Sequence, residues 1–350
     1  MIHGDDQGSP EDRVQRACAA ARFAAIPLLA LVAGVFAVPA ATPVQAEDAK
    51  PKAIATIGMI ADVAANVAGD CVDVAALMGP GVDPHLYQAS ASDVRKLQEA
   101  DAILYSGYSL EGQLGAVLER FGEQKPTVAV SPSSIDPSEL IAVQDIYGID
   151  PHLWMDAGLW QQIAPTIAIT LGEIAPECAE DMSGRAQEYA IQLDALDAWI
   201  EESVATIPQA QRILVTAHDA FNYYGRAYGI EVAGIQGIST ESEAGVSDIR
   251  EMVDVVVERA VPAVFVESTI NPRTIQAVID AAAQRGQEVE IGGELYSDAM
   301  GEPGTAGGTY IGMLVENTKT VVQALGGTPA RLPEALHPWA EQWNVELAED

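Results

Sequence analysis

The sequence predicts an α/β protein: two regions of parallel β-sheet flanked by helices, joined by one long rigid helix. Three observations carry this. Short β-rich runs alternate with segments of helical spacing across 53–130 and again across 212–325. Between them, Tyr189, Leu193, Leu196, Ile200 and Val204 recur at three- and four-residue steps. That pattern predicts one helix over 183–204, about 30 Å or more at 1.5 Å per residue, long enough to span a domain. Finally, His85, His152 and His218 all fall at strand ends or in loops, where α/β folds place their ligands.

In the first region, strand 53–57 leads into helix 60–68, which stops at Gly69. Strand 71–77 is broken by Gly79-Pro80-Gly81, and Asp83-Pro84-His85 follows directly. A capped helix over 92–100, a strand over 102–105, a helix over 109–121 and a strand over 127–130 continue the alternation. The proline-rich passage 131–137 reads as loop and delivers the chain to Asp150-Pro151-His152-Leu153-Trp154-Met155-Asp156. In both Asp-Pro-His copies, proline fixes its own φ and biases the preceding aspartate to extended geometry, so each imidazole is presented from a stiff turn.

A helix over 160–171 precedes the long helix. Beyond it, strand 212–216 ends in Ala217-His218-Asp219-Ala220-Phe221, followed by a helix through Tyr228 and a stop at Gly229. Strand 230–233, loop 234–240, helix 242–260, strand 263–267, helix 272–285 and strand 289–295 follow, and Asp298 comes just after the last strand. A helix over 309–325 closes at Gly326-Gly327. From Thr328 onward the chain reads as a proline-containing acidic tail with Trp339 and Trp343. The expected domains are therefore 47–180, a connecting helix 181–207, a second domain 208–327 and a tail 328–350.

Residues 1–46 read as a secretory leader. Arg13, Arg16 and Arg22 precede an apolar run over 23–38, and Val44-Gln45-Ala46 offers small residues for cleavage near Ala46. The run is short for a membrane span and contains Pro27, so the mature chain is expected to be exported, periplasmic and not inserted in the membrane. Cys18 lies before the apolar run, whereas a lipid-acceptor cysteine would follow it. The formal net charge of -33 repels phosphate backbones and anionic lipid and attracts cations, which argues against nucleic acid as a partner. Of 3 cysteines, Cys71 and Cys178 remain after the leader, an even number in an oxidising compartment. A single disulfide is predicted, with two buried free thiols as the alternative.

Of 5 histidines, His3 lies in the leader, leaving His85, His152, His218 and His337. Three loop-borne imidazoles plus the Asp298 carboxylate fit a first-row divalent metal held between two domains; scattered structural histidines are the competing reading. Glu267 ends a strand and is placed either to orient a ligating imidazole or to cap or face solvent. Tyr223, Tyr224 and Tyr228 read as core or cleft wall, and His337 as a tail residue without function.

The passages around His85, His152 and His218, together with Leu295-Tyr296-Ser297-Asp298 and Gly237-Ile238-Ser239-Thr240-Glu241-Ser242-Glu243, resemble the metal-binding solute-binding proteins of zinc/manganese ABC transporters. The resemblance covers nearly the whole mature chain and implies two β/α domains with the metal in the cleft. Carried over, His85 and His152 are the first domain's ligands and His218 and Asp298 the second's, the family's three-histidine, one-aspartate branch. It further implies one divalent ion, Zn2+ or Mn2+, as cargo, an ABC transporter permease as partner, and no catalytic role; a monomer is expected. The chain lacks the histidine-rich loop of many zinc-specific members and has histidine where many manganese members have glutamate. A secreted zinc-dependent metallohydrolase is the alternative, but no His-Glu-x-x-His, Gly-x-Ser-x-Gly or phosphate-loop pattern is present. Because imidazole binds metal only when neutral, capture is expected to weaken from about pH 7.5 to about 5.5, with up to roughly three protons taken up per ion released.

Overall fold

The computed structural model describes residues 49–144 and 148–347, so the leader and its cleavage site lie outside the described residues. In chain order, strand β1 (Lys52–Ala55), helix α1 (Gly58–Ala68), β2 (Asp73–Ala76), α2 (Ala91–Glu99), β3 (Ala102–Tyr105), α3 (Gly115–Gly122) and β4 (Thr127–Ala129) build the first region. Its four strands form one parallel sheet in the order β2-β1-β3-β4, with Ile54 opposite Ala75 on one side and Ile103 on the other. Parallel strands need crossovers, and the intervening helices supply them. Ser90 caps α2 in a capping box with Asp93, which fixes its start.

Two sequence expectations shift here. The helix expected from residue 109 begins only at Gly115, behind a 3-10 turn over Gly112–Leu114. Gly107, Tyr108 and Ser109 all take positive φ, which no helix accommodates. The passage expected as loop contains a short helix, α4 (Val130–Ser134). Pro132 sits in its first turn, where the N–H it lacks has no helical partner anyway.

Short α5 (Ala157–Trp160) and α6 (Ile163–Ile174) lead to the long helix α7 (Ala179–Ala205), 27 residues and hence about 40 Å. Its buried stripe contains all five residues expected from the spacing and also Met182, Ala186 and Trp199. Arg185 of α7 donates from Nε to Val67 O at 2.7 Å and from Nη2 to Ala68 O at 2.8 Å, capping the end of α1. Beside it, Cys71 and Cys178 form the expected disulfide.

The second region holds β5 (Ile213–His218), α8 (Asn222–Tyr228), β6 (Glu231–Gln236), α9 (Val246–Glu258), β7 (Ala263–Glu267), α10 (Arg273–Gln284), β8 (Glu290–Leu295) and α11 (Tyr310–Ala324). Strands β5 and β6 pair in parallel, as do β7 and β8. The register of β7–β8 shifts between Val264 and Phe265, beside Gly292, where an added Cβ would lie 2.6 Å from the Phe265 ring.

One hydrophobic cluster runs from Ala53 of β1 through α7 to Ala340, and a second fills the space between β5, β7, α9 and α10. The stretch read as a tail contributes to the first. Helix α12 (His337–Gln342) buries Trp339 and Ala340, and Trp339 Nε1 donates to Thr309 Oγ1 at 3.0 Å. Acidic composition hid this, because its apolar residues are interspersed with prolines and glutamates and show no sustained helical period.

Candidate metal centre

Both Asp-Pro-His copies fold as the same local device. Asp83 Oδ1 accepts the backbone N–H of His85 at 2.8 Å, and Asp150 Oδ1 accepts that of His152 at 3.0 Å. Each aspartate thus closes a turn on the histidine two residues ahead, while proline stiffens the link. His218 is the last residue of β5 and Glu267 the last of β7. The two are joined twice: His218 N–H donates to Glu267 Oε1 at 2.8 Å, and Nδ1 meets Oε2 in a short buried bond. Strand β6 approaches this turn so closely that a Cβ on Gly234 would lie 2.6 Å from the Asp219 nitrogen. Asp298 lies in the turn after β8.

These four side chains meet. One ligand atom from each of His85, His152, His218 and Asp298 lies within 4.8 Å of every other, and all four residues are buried. His85 Nε2 stands 3.3 Å from His152 Nε2. Asp298 Oδ1 is 3.3 Å from His152 Nε2, and Oδ2 is 3.2 Å from His218 Nε2 and 3.8 Å from His85 Nε2. Metal–ligand bonds of about 2.0–2.1 Å at a tetrahedral angle put ligand atoms about 3.3 Å apart, so these spacings fit a single ion. The Asp298 approaches are close, but neither of its oxygens has hydrogen-bond geometry to any partner, and His218 Nε2 is equally unpartnered. Buried polar atoms left without partners are costly, and an ion at their common focus removes that cost.

Carboxylates behind the histidines set their charge. Burial opposes protonation of His152, but Asp150, bonded to Nδ1 at 2.8 Å, and Asp298 outweigh it and push its pKa up to about 9. His218 moves the same way, well above the ordinary imidazole value: burial is overcome by Glu267 and Asp298. His85 goes down to about 3, because burial dominates and the neighbouring imidazoles add to it. Burial works against charge on Asp298 too, yet His218 and His152 hold its carboxyl well below the usual range. Within the cluster, then, His152 and His218 are shifted towards the protonated form and His85 towards the neutral one.

Several of the surrounding residues were not legible in the sequence. Asp150 accepts from Asn222 Nδ2 at 3.0 Å as well as from His152, and its carbonyl accepts Tyr223 O–H at 3.0 Å. The Trp154 ring meets His152 edge to face at 5.3 Å, and its Nε1 donates to Ser297 O at 2.9 Å. Asn317 brackets Tyr296, accepting its N–H at 2.9 Å and donating to its carbonyl at 2.7 Å. A tryptophan two residues after a histidine, and an aspartate two before it, were signals available in the stretch 150–156. Asn317 and Asn222 carried none. Glu267 takes the orienting role that was one of its two readings, and Tyr223, Tyr224 and Tyr228 are buried wall. His337 Nε2 lies 3.2 Å from Leu332 O, away from the cluster.

Comparison with known proteins places the chain in a family. The manganese-binding lipoprotein MntA of Bacillus subtilis (strain 168) is 45% identical over 281 residues, 80% of this chain and 92% of that protein. The solved periplasmic zinc binding protein TroA from Treponema pallidum is 45% identical, with a TM-score of 0.77 over 79% of this chain and 99% of that one. Fe(III)-bound YtgA from Chlamydia trachomatis is 25% identical, with a TM-score of 0.73 over 80% and 100%. Residues 54–324 match the family described as zinc-uptake complex component A, periplasmic, and the chain, a solute-binding component of an ABC importer rather than an enzyme, belongs to that family.

Proposed function

We propose that this chain captures one divalent transition metal ion outside the cytoplasm through His85, His152, His218 and Asp298 and hands it to an ABC permease. The observation that supports this best is the convergence of three Nε2 atoms on a buried carboxylate whose two oxygens lack partners. Relatives at the same identity carry different names, MntA manganese-binding and TroA zinc-binding. Three imidazoles and the order of divalent affinities favour zinc, while a carboxylate with both oxygens facing the site can raise the coordination number and accommodate manganese. We read zinc as the tighter ligand and manganese as an accepted one. The mature chain acts as an exported monomer, with lobes 47–180 and 208–327 joined by 181–207. No helix among the described residues is long and apolar enough to cross a membrane. The metallohydrolase alternative finds no support in the family.

Elemental analysis and competition titration of purified protein test the reading. We expect one equivalent of metal, zinc displacing manganese, and severe loss of binding in His218→Ala and in Asp298→Ala with the metal-free fold retained. Wild-type affinity in either variant would overturn the assignment.

A further inference from the structure

The motif Gly237-Ile238-Ser239-Thr240-Glu241-Ser242-Glu243 has no part in the metal cluster itself, yet it reaches the ligand turns. It follows β6 directly. Gln236 Nε2 donates to Thr240 O at 3.0 Å and to Ser242 O at 2.6 Å, which folds the segment back on itself. Ile238 and Thr240 are buried, whereas Glu241, Ser242 and Glu243 are exposed. Thr240 Oγ1 then donates to Asp83 Oδ2 at 2.6 Å, across 157 residues of sequence. The other oxygen of the same carboxylate accepts the His85 N–H at 2.8 Å. A hydroxyl of the second lobe is thereby connected to the backbone of a ligand of the first through a single carboxylate.

The side chains of His85, His152, His218 and Asp298 are all fully buried. His152 and His218 each have a carboxylate on Nδ1, behind the ring. The His85 turn is held in its place among them by Asp83.

We propose that Thr240 is a positioning residue for His85, and that its hydroxyl forms with Asp83 a clasp between the two lobes that sets how fast the ion leaves. This rests on the metal-capture reading above. A hydroxyl bonded to a carboxylate is one of the stronger hydrogen bonds. Without it, Asp83 loses the donor that fixes its rotamer, and the His85 turn gains freedom to swing away. The ligand set is unchanged, so the effect falls on the dissociation rate, where changes in affinity among related complexes mostly appear.

The test is release of zinc from the loaded full-length mature protein into excess chelator, followed by stopped flow, for wild type, Thr240→Val and Thr240→Ser. Thr240→Val should release zinc about tenfold faster or more, and Thr240→Ser, which keeps the hydroxyl, should stay within about threefold of wild type. Cobalt-loaded Thr240→Val should keep the wild-type absorption spectrum, since no ligand is altered. In an Asp83→Asn background, Thr240→Val should add little. Release from Thr240→Val at the wild-type rate, equally fast release from Thr240→Ser, or full additivity with Asp83→Asn would each overturn the clasp. Wild-type protein that holds no zinc would instead overturn the capture reading beneath it, and that is seen before any rate is measured.

Discussion

Trp154 Nε1 donates to the backbone carbonyl of Ser297 at 2.9 Å, one residue before Asp298 and 143 residues away in sequence. The same indole packs edge to face on His152, and Tyr310 O–H holds the Trp154 carbonyl at 2.7 Å. One side chain therefore ties the His152 turn to the Asp298 turn. Trp154→Phe keeps the ring but strands a buried carbonyl, a loss of about 1–3 kcal/mol. We expect metal affinity to fall about tenfold or more and most of the tryptophan fluorescence change on loading to vanish; fluorescence titration retaining both would refute the link.

Glu267 and Asp150 stand behind His218 and His152. Groups in this position typically contribute 10–100-fold to metal affinity, and we expect a loss in that range for Glu267→Gln and for Asp150→Asn. Glu267→Gln should also lower proton release at pH 7 by about one, because His218 is no longer held protonated. Isothermal titration in buffers of different ionisation enthalpy reads both quantities at once.

The pH dependence follows from the same pairs. In the metal-free protein at pH 7, His152 (about 9) and His218 (well above its ordinary value) carry protons, and His85 (about 3) does not. Metal requires neutral imidazole, so binding at pH 7 should release about two protons. Log affinity should climb with a slope of about two through neutrality and flatten only above about pH 9. A flat profile above pH 7 would show that these carboxylates do not control the site.

Stability of the metal-free protein should run the opposite way. The folded pKa of His152 is raised from 6.5 to about 9, so its contribution is fully present below about pH 6.5 and is lost as pH rises through about 9. Denaturation of metal-free protein should show a falling midpoint across that window, and zinc-loaded protein should not. A midpoint rising with pH would invert the assignment.

The Cys71–Cys178 disulfide closes a loop of 107 residues. On the chain-entropy account, its removal by paired Cys→Ser replacement costs about 5 kcal/mol of stability. It lies at the end of α1 and not at the metal cluster, so zinc affinity should change less than twofold. Thiol titration of denatured, unreduced protein should find no free thiol from these two residues.

Local rules made most of the fold legible. The alternation of strands and helices, the stripe on α7, the capping box at Ser90 and the stops at Gly69 and Gly229 are properties of a few consecutive residues, and backbone sterics and periodicity express them directly. The residues of the candidate cluster were legible for a related reason: His85 and His152 share one turn chemistry, and His218 and Asp298 each follow a strand run. Tertiary structure decided what depends on residues far apart in sequence. Only folding brings Glu267 to His218, Asn222 to Asp150, Ser297 to Trp154 and Asp83 to Thr240. These partners shift the charge balance of the histidines away from that of an ordinary imidazole. The tail went the same way. Its composition is acidic, but burying Trp339 against α11 is a matter of where the helix lands, which no local pattern encodes.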